Sequence, residues 1–316
     1  MGGLALGWDG TRVGCLALGW DGTHSDLGLD RGGGWVREAG GMRYAISTSP
    51  QRTTWNWMLE AWQRADAIDA FESGWTFDHF YPLFGDSTED CLEGWMTLAA
   101  LLHETRRLRG GVLVSGMIYR HPALLAHMAT TLDITSGGRV ELGVGAGWNE
   151  EECDAFGIEL GSLTERFDRF EEGLAVIDGM LTAERTTVHG QYYTVTEAMN
   201  NPKPVQRPLP ICIGGRGLRR TMPLVARYAH HWNYGGGDPA EFTRCRDVIH
   251  EHCAALGRDP QEITCSVLAR WAGDPKRFRD DAAAFGDVGA DLALVALPKD
   301  VAGAAAVEEV AAAIEV

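Results

Sequence analysis

The sequence predicts a (β/α)8 TIM barrel, and three observations carry that reading. From Met42 onward, short apolar runs alternate with amphipathic stretches, eight times in all. Some of these runs are apolar throughout, as in Leu292-Ala-Leu-Val-Ala-Leu297, which suits strands of a parallel sheet buried on both faces. The chain has 316 residues, a length that α/β barrels reach as one domain. An open doubly wound sheet also fits an alternation of strand and helix. The count of eight favours the barrel.

Residues 1–41 stand apart from this rhythm. LALGWDGT at Leu4–Thr11 recurs at Leu16–Thr23, followed by the glycines of Arg31-Gly-Gly-Gly34 and Gly40-Gly41. Two copies are too few for a solenoid, and glycine at this density weakens any helix or strand. The stretch reads as a poorly ordered leader, with Met42 a candidate for the original first residue, and residues 42–316 as one barrel domain.

Within 42–316, Tyr44-Ala-Ile46 reads as the first strand, and Thr53–Ala70 as a helix with Trp55, Met58, Leu59 and Trp62 at helical spacing. Gly74–Phe77 is the second strand, Leu92–Arg106 the second helix and Val112-Leu-Val114 the third strand. Pro122 suits a helix first turn, where its missing N–H costs nothing, and Gly137-Gly138 ends that helix. Val140–Val144 is the fourth strand, and Phe167, Phe170, Leu174, Ile177 and Leu181 mark a long helix. Thr186–Pro208 breaks the pattern and reads as an inserted excursion with a hairpin at Thr187–Val195. Leu209–Ile213, His231–Asn233, Thr264–Leu268 and Asp291–Leu297 supply the last four strands.

The formal charge of −16 argues against nucleic acid or an anionic membrane as partner. No apolar run reaches the roughly 20 residues of a membrane span, and the N-terminus lacks the pattern of a signal peptide, so a cytoplasmic location is the expectation. The seven cysteines show no CxxC spacing and read as reduced thiols. A small-molecule substrate is the expected partner, and a homodimer is compatible with it.

In a barrel the C-terminal strand ends share one face, where active sites sit. Asp78-His79 follows the second strand, Ser115-Gly116 the third, and Gly143-Val-Gly-Ala-Gly147-Trp148-Asn149 the fourth. Gly214-Gly-Arg-Gly217 follows the fifth, and Asn233 ends the sixth. A histidine can donate a hydrogen bond or move a proton, and the adjacent Asp78 is placed to hold its tautomer. The plainer alternative is a strand-end histidine capped by a neighbour. Gly214–Gly217, with Arg216, Arg219 and Arg220 nearby, could bind a phosphate on N–H groups at a helix start; the alternative is a tight turn with a basic surface. Gly143–Gly147 fails the dinucleotide fingerprint, because Trp148 stands at its sixth position. A metal-dependent hydrolase would need ligands at several strand ends, and only Asp78-His79 offers any.

Six segments taken together resemble luciferase-like oxidoreductases, in particular those that use the deazaflavin coenzyme F-420. They are Phe77-Asp-His-Phe80, Val114-Ser-Gly-Met-Ile-Tyr-Arg-His-Pro122, Ser136-Gly-Gly-Arg-Val-Glu-Leu-Gly-Val-Gly-Ala-Gly-Trp-Asn-Glu150, Glu165-Arg-Phe-Asp-Arg-Phe-Glu171, Asn201-Pro-Lys-Pro-Val-Gln-Arg-Pro208 and Ile211-Cys-Ile-Gly-Gly215. The resemblance implies His79 beside the coenzyme ring, with Asp78 as its companion. It implies Ser115 and Gly116 in a third-strand segment against the ring, often bulged with a non-prolyl cis bond. Gly145, Ala146, Gly147 and Asn149 match the fourth-strand turn near the coenzyme, and Gly214, Gly215 and Arg216 the loop that holds its phosphate.

Three departures stand out. The leader has no counterpart, Ala67–Gly74 carries one extra residue, and Cys153 stands where close relatives often have histidine. The expected chemistry is hydride transfer between a small organic substrate and C5 of F-420, with the coenzyme supplying the redox chemistry. The alternatives are an FMN-dependent monooxygenase of the same superfamily and a flavin-binding barrel without turnover.

Overall fold

The computed structural model describes residues 41–314. The expected leader, apart from Gly41, lies outside the described residues. The first strand, β1 (Arg43–Ser47), leads to α1 (Trp55–Asp66), which Thr54 opens by accepting a hydrogen bond from the Trp57 N–H at 3.2 Å. Met58, Ala61, Trp62 and Ala65 recur every three or four residues and bury one face of that helix. The second strand, β2 (Phe71–Thr76), starts three residues before the expected Gly74. Tyr44 pairs with Phe71 but Ala45 with Ser73, so a bulge at Glu72 takes up one extra residue.

After α2 (Gly94–Glu104), the expected third strand is broken in two. It comprises β3 (Arg109–Val112) and β4 (Ser115–Gly116), with a cis peptide between Leu113 and Val114. The apolar run Val112–Val114 looked continuous, but its last two residues leave the ladder. Helix α3 (Pro122–Ser136) carries its proline in the first turn and ends on Gly137 at φ +74°. Beyond β5 (Val140–Gly145) lies an unexpected short helix, α4 (Glu150–Phe156). Ser162 and Glu165 then form a reciprocal capping box at the start of α5 (Leu163–Thr182).

The inserted excursion is the hairpin β6 (Thr186–His189) and β7 (Thr194–Ala198), as the sequence suggested. The second half alternates regularly through β8 (Ile211–Gly214), α6 (Thr221–Tyr228), β9 (His231–Tyr234) and α7 (Pro239–Leu256). It ends with β10 (Thr264–Arg270), α8 (Pro275–Asp287), β11 (Leu292–Ala296) and α9 (Gly303–Ile314). β11 pairs in parallel with β1, and β3 with β5, so eight parallel strands close into the expected barrel. No helix among the described residues is long and apolar enough to cross a membrane.

The barrel interior is layered. Near the N-terminal strand ends, Glu141 and His231 are fully buried, with His231 Nδ1 donating to Glu141 Oε2 at 3.0 Å and Nε2 donating to Ser266 Oγ at 2.6 Å. Arg109 approaches the same carboxylate at 3.4 Å. Burial works against the His231 cation, but Cys212 and Glu141 outweigh it and hold the imidazole up at about 10. An apolar layer of Ala45, Trp75, Cys212, Leu292 and Leu294 also fills the interior, with half-buried Leu113 packed against it.

Candidate active site at the C-terminal rim

The segment after β2 carries Asp78 and His79 on the rim, but the two do different work. Adjacent residues of an extended chain point to opposite sides. Asp78, fully buried, accepts from Arg120 at 2.5 Å, and Arg120 reaches on to Glu93 at 2.6 Å. Burial pushes the Asp78 carboxyl above its ordinary value, opposed by Arg120 and the nearby Ser115 hydroxyl. His79 instead places Nδ1 2.7 Å from Glu152 Oε1. The expected pairing of Asp78 with His79 is therefore corrected: the carboxylate bonded to the imidazole is Glu152.

Glu152 comes from α4, 73 residues along the chain, and its side chain is fully buried. Its Oε2 accepts from the Phe80 N–H at 2.9 Å, and Oε1 also accepts from the Tyr119 hydroxyl. Burial raises the Glu152 carboxyl, yet the donors from His79, Tyr119 and Phe80 prevail and hold it below its ordinary value. Sequence reasoning missed this residue. Three consecutive glutamates, Glu150-Glu-Glu152, look alike in the sequence, and only burial separates Glu152 from its exposed neighbours.

An aromatic wall surrounds His79. Phe77 and Trp148 meet its ring edge-on at 5.1 and 5.4 Å, Phe84 stacks on Trp148, and Phe80 packs against Tyr119 and Phe156. Among the described residues nothing is bonded to His79 Nε2.

The third-strand candidates lie deeper than expected. Ser115 and Gly116 are buried, and the Ser115 hydroxyl accepts from Trp95 Nε1 at 2.7 Å. Leu113 and Val114, just before them, are half-buried. Val114 abuts two expected cofactor glycines: a Cβ on Gly145 would lie 2.8 Å from it, and one on Gly214 3.1 Å. Gly147 adopts φ +85°, and Ala146 and Asn149 beside it are half-buried.

At the fifth strand, the Gly215 N–H is spent on the Asn233 carbonyl at 3.1 Å, so it is not a free phosphate donor. Among the described residues no acceptor is set against the N–H groups of Arg216, Gly217 and Leu218. Arg216 is exposed and paired with Glu241 at 2.9 Å, and Arg220 is paired with Asp168 at 2.6 Å. Asn233 is buried, and its side chain donates to Ser266 at 2.9 Å. His79 and the glycine loops thus follow the second, fourth and fifth strands of one barrel, on its C-terminal face.

Comparison with known proteins agrees with this layout. The family model described as luciferase-like monooxygenase matches residues 39–313. The chain belongs to the luciferase-like monooxygenase family. An uncharacterized protein of Mycobacterium tuberculosis H37Rv is 32% identical over 211 residues, 61% of this chain and 73% of that one. An F-420-dependent glucose-6-phosphate dehydrogenase of Microbacterium testaceum is 31% identical over 225 residues, 70% of this chain and 66% of that one. Among solved structures, an F-420-dependent secondary alcohol dehydrogenase in complex with an F-420–acetone adduct superposes with a TM-score of 0.74 at 21% identity. That match covers 87% of this chain and 99% of the other. A long-chain alkane monooxygenase gives 0.73 at 15% identity, covering 88% and 92%. At such identities these structures share the barrel fold of the luciferase-like family.

Proposed function

We propose that this protein transfers a hydride between coenzyme F-420 and a small organic substrate. The observation that carries the reading is the placement of His79, whose Nδ1 is bonded to buried Glu152 while nothing described is bonded to Nε2. The 31% identity to an F-420-dependent dehydrogenase supports F-420 over other flavin-type groups.

The residues fit such a group. Leu113 and Val114 offer a half-buried apolar surface for a flat ring at the barrel mouth, and bare Gly145 and Gly214 let Val114 lie close. The N–H groups of Arg216, Gly217 and Leu218, ahead of α6, suit its phosphate. Gly147, Ala146 and Asn149 would border the ring from the fourth strand. When bound, F-420 supplies the hydride donor or acceptor. His79 Nε2 then takes or gives the proton at the reacting atom of the substrate, while Phe77 and Trp148 restrict water around it.

A second reading, an FMN-dependent monooxygenase, keeps support from the description of the family. Titration with F-420 and with FMN, followed by absorption, tests the choice. Saturable F-420 binding and weak FMN binding are expected, and the reverse would replace the first reading by the second. Reduction of F-420 across a panel of alcohols, or its reoxidation with carbonyl compounds, would then establish turnover.

A further inference from the structure

The donors around Glu152 fix more than the position of His79. Its carboxylate receives the Phe80 N–H on Oε2 and the Tyr119 hydroxyl on Oε1. A main-chain N–H can only donate. The Tyr119 phenol, pushed far above its ordinary value by burial and by Glu152, keeps its proton and donates as well. A carboxylate held ionised by such donors is acceptor-only, so whatever approaches its remaining lone pair must bring a hydrogen. His79 Nδ1 is that group, at 2.7 Å.

We propose that Glu152 is a positioning residue: with Tyr119 and the Phe80 N–H it holds a His79 proton on Nδ1 and leaves Nε2 as the open, proton-accepting atom at the rim. Glu152 touches neither substrate nor coenzyme in this scheme and acts through the imidazole. Three features support it independently of any ligand. Glu152 is fully buried, so water does not compete for its oxygens. Its helix is closed by a C-terminal cap just beyond it, with the Ile158 N–H on the Cys153 carbonyl at 2.8 Å and Gly157 at φ +67°. The imidazole is also held edge-on between Phe77 and Trp148, which opposes a ring flip.

When a substrate proton reaches Nε2, the imidazole becomes doubly protonated and the Glu152 carboxylate stabilises that cation across the Nδ1 bond. The proton leaves by the reverse transfer, so no oxidant or other co-reactant is needed. Only the effect on rate rests on the function proposed above; the tautomer does not.

The test is nitrogen-15 NMR of the full chain labelled at histidine, without coenzyme, with the His79 signals assigned by their loss in His79→Gln. In the wild type, at a pH where the ring is neutral, Nδ1 is expected to be protonated and Nε2 bare. Glu152→Gln keeps shape but replaces one acceptor by an amide donor; the Phe80 N–H claims the remaining oxygen, and the amide turns to Nδ1. The proton should then move to Nε2, and turnover in any F-420-coupled assay should fall by about 10²–10⁴, as for loss of a general base. Tyr119→Phe removes one donor but no acceptor and should keep the wild-type tautomer. An Nε2-protonated wild type, or a Glu152→Gln spectrum with His79 unchanged, would overturn the proposal. Should Glu152→Gln fail to fold, the wild-type and Tyr119→Phe tautomers still decide it. If the tautomers behave as expected but F-420 does not bind, the proposed function fails and the positioning role stands.

Discussion

Arg120 lies 2.5 Å from Asp78, and this pair ties the segment after β2 to the loop before α3. The Asp78 carboxylate is fully buried and Arg120 largely so, and Glu93 completes the guanidinium's partners. Removing one member of a buried pair leaves a charge without compensation, typically at a cost of about 3–5 kcal/mol. Arg120→Ala should therefore lower the melting temperature by about 6–20 °C, from roughly 2–4 °C per kcal/mol in a protein of this size. A thermal melt that stays within a degree of wild type would show that Asp78 is not held this way in solution.

The same pair shows where sequence reasoning stopped. The strand order, the helices other than α4, the hairpin insertion and the strand-end positions of His79 and the glycine loops could be read from periodicity and local spacing. The partner of His79 could not. Asp78 is adjacent in sequence, but alternation sends it to Arg120, and the partner Glu152 belongs to a helix that its three leading glutamates disguise as solvated surface. The break at Leu113-Val114 escaped for a related reason: an apolar run looks the same whether it stays in the ladder or leaves it.

The buried Glu141–His231 pair sets a pH window for stability. His231 has a folded value above the ordinary imidazole value of 6.5, so its contribution is fully present below about 6.5 and is lost as the pH rises through about 10. Burial raises Glu141, but the His231 and Arg109 interactions prevail and lower it from 4.5, so its contribution is lost on the acid side as the pH falls through that lowered value. Urea midpoints should fall between pH 7 and 10 more steeply in the wild type than in His231→Gln. Parallel pH profiles for the two proteins would count against a charged His231.

A negative charge beside the fifth-strand loop should repel the coenzyme phosphate. Gly215→Asp is a poor test, because φ +131° strains any side chain there. Leu218 is 40% exposed and precedes α6, so Leu218→Asp adds charge without disturbing the core. F-420 affinity is expected to fall by about tenfold or more, equivalent to about 1.4 kcal/mol, with an unchanged melting temperature. Unaltered affinity in a folded variant would move the phosphate to the later strands.

Residues 1–41 are proposed to be dispensable. The family match begins at residue 39, and the repeat and its glycines offer no periodic apolar face. A chain beginning at Met42 should melt at the same temperature and bind the same coenzyme. A loss of several degrees, about 1 kcal/mol or more in a protein of this size, would show that the segment packs against the barrel.

The sharpest expectation concerns His79 itself. Its ring is bonded through Nδ1 to Glu152 and met edge-on by Phe77 and Trp148, which leaves Nε2 as the ring nitrogen proposed to face a substrate. If that atom moves a proton, His79→Ala should lower turnover by about 10²–10⁴, the usual range for a general acid–base group. F-420 affinity should change little, because the proposed phosphate donors follow the fifth strand and the ring surface comes from Leu113 and Val114. His79→Gln separates two roles, since glutamine can still donate a hydrogen bond but cannot titrate in this range. Recovery of most of the rate with glutamine would mean that His79 only orients the ring or substrate, and the proton would then come from water or another group. Full activity in His79→Ala would remove it from the chemistry, leaving the histidine as a strand-end residue held by Glu152 for the sake of the fold.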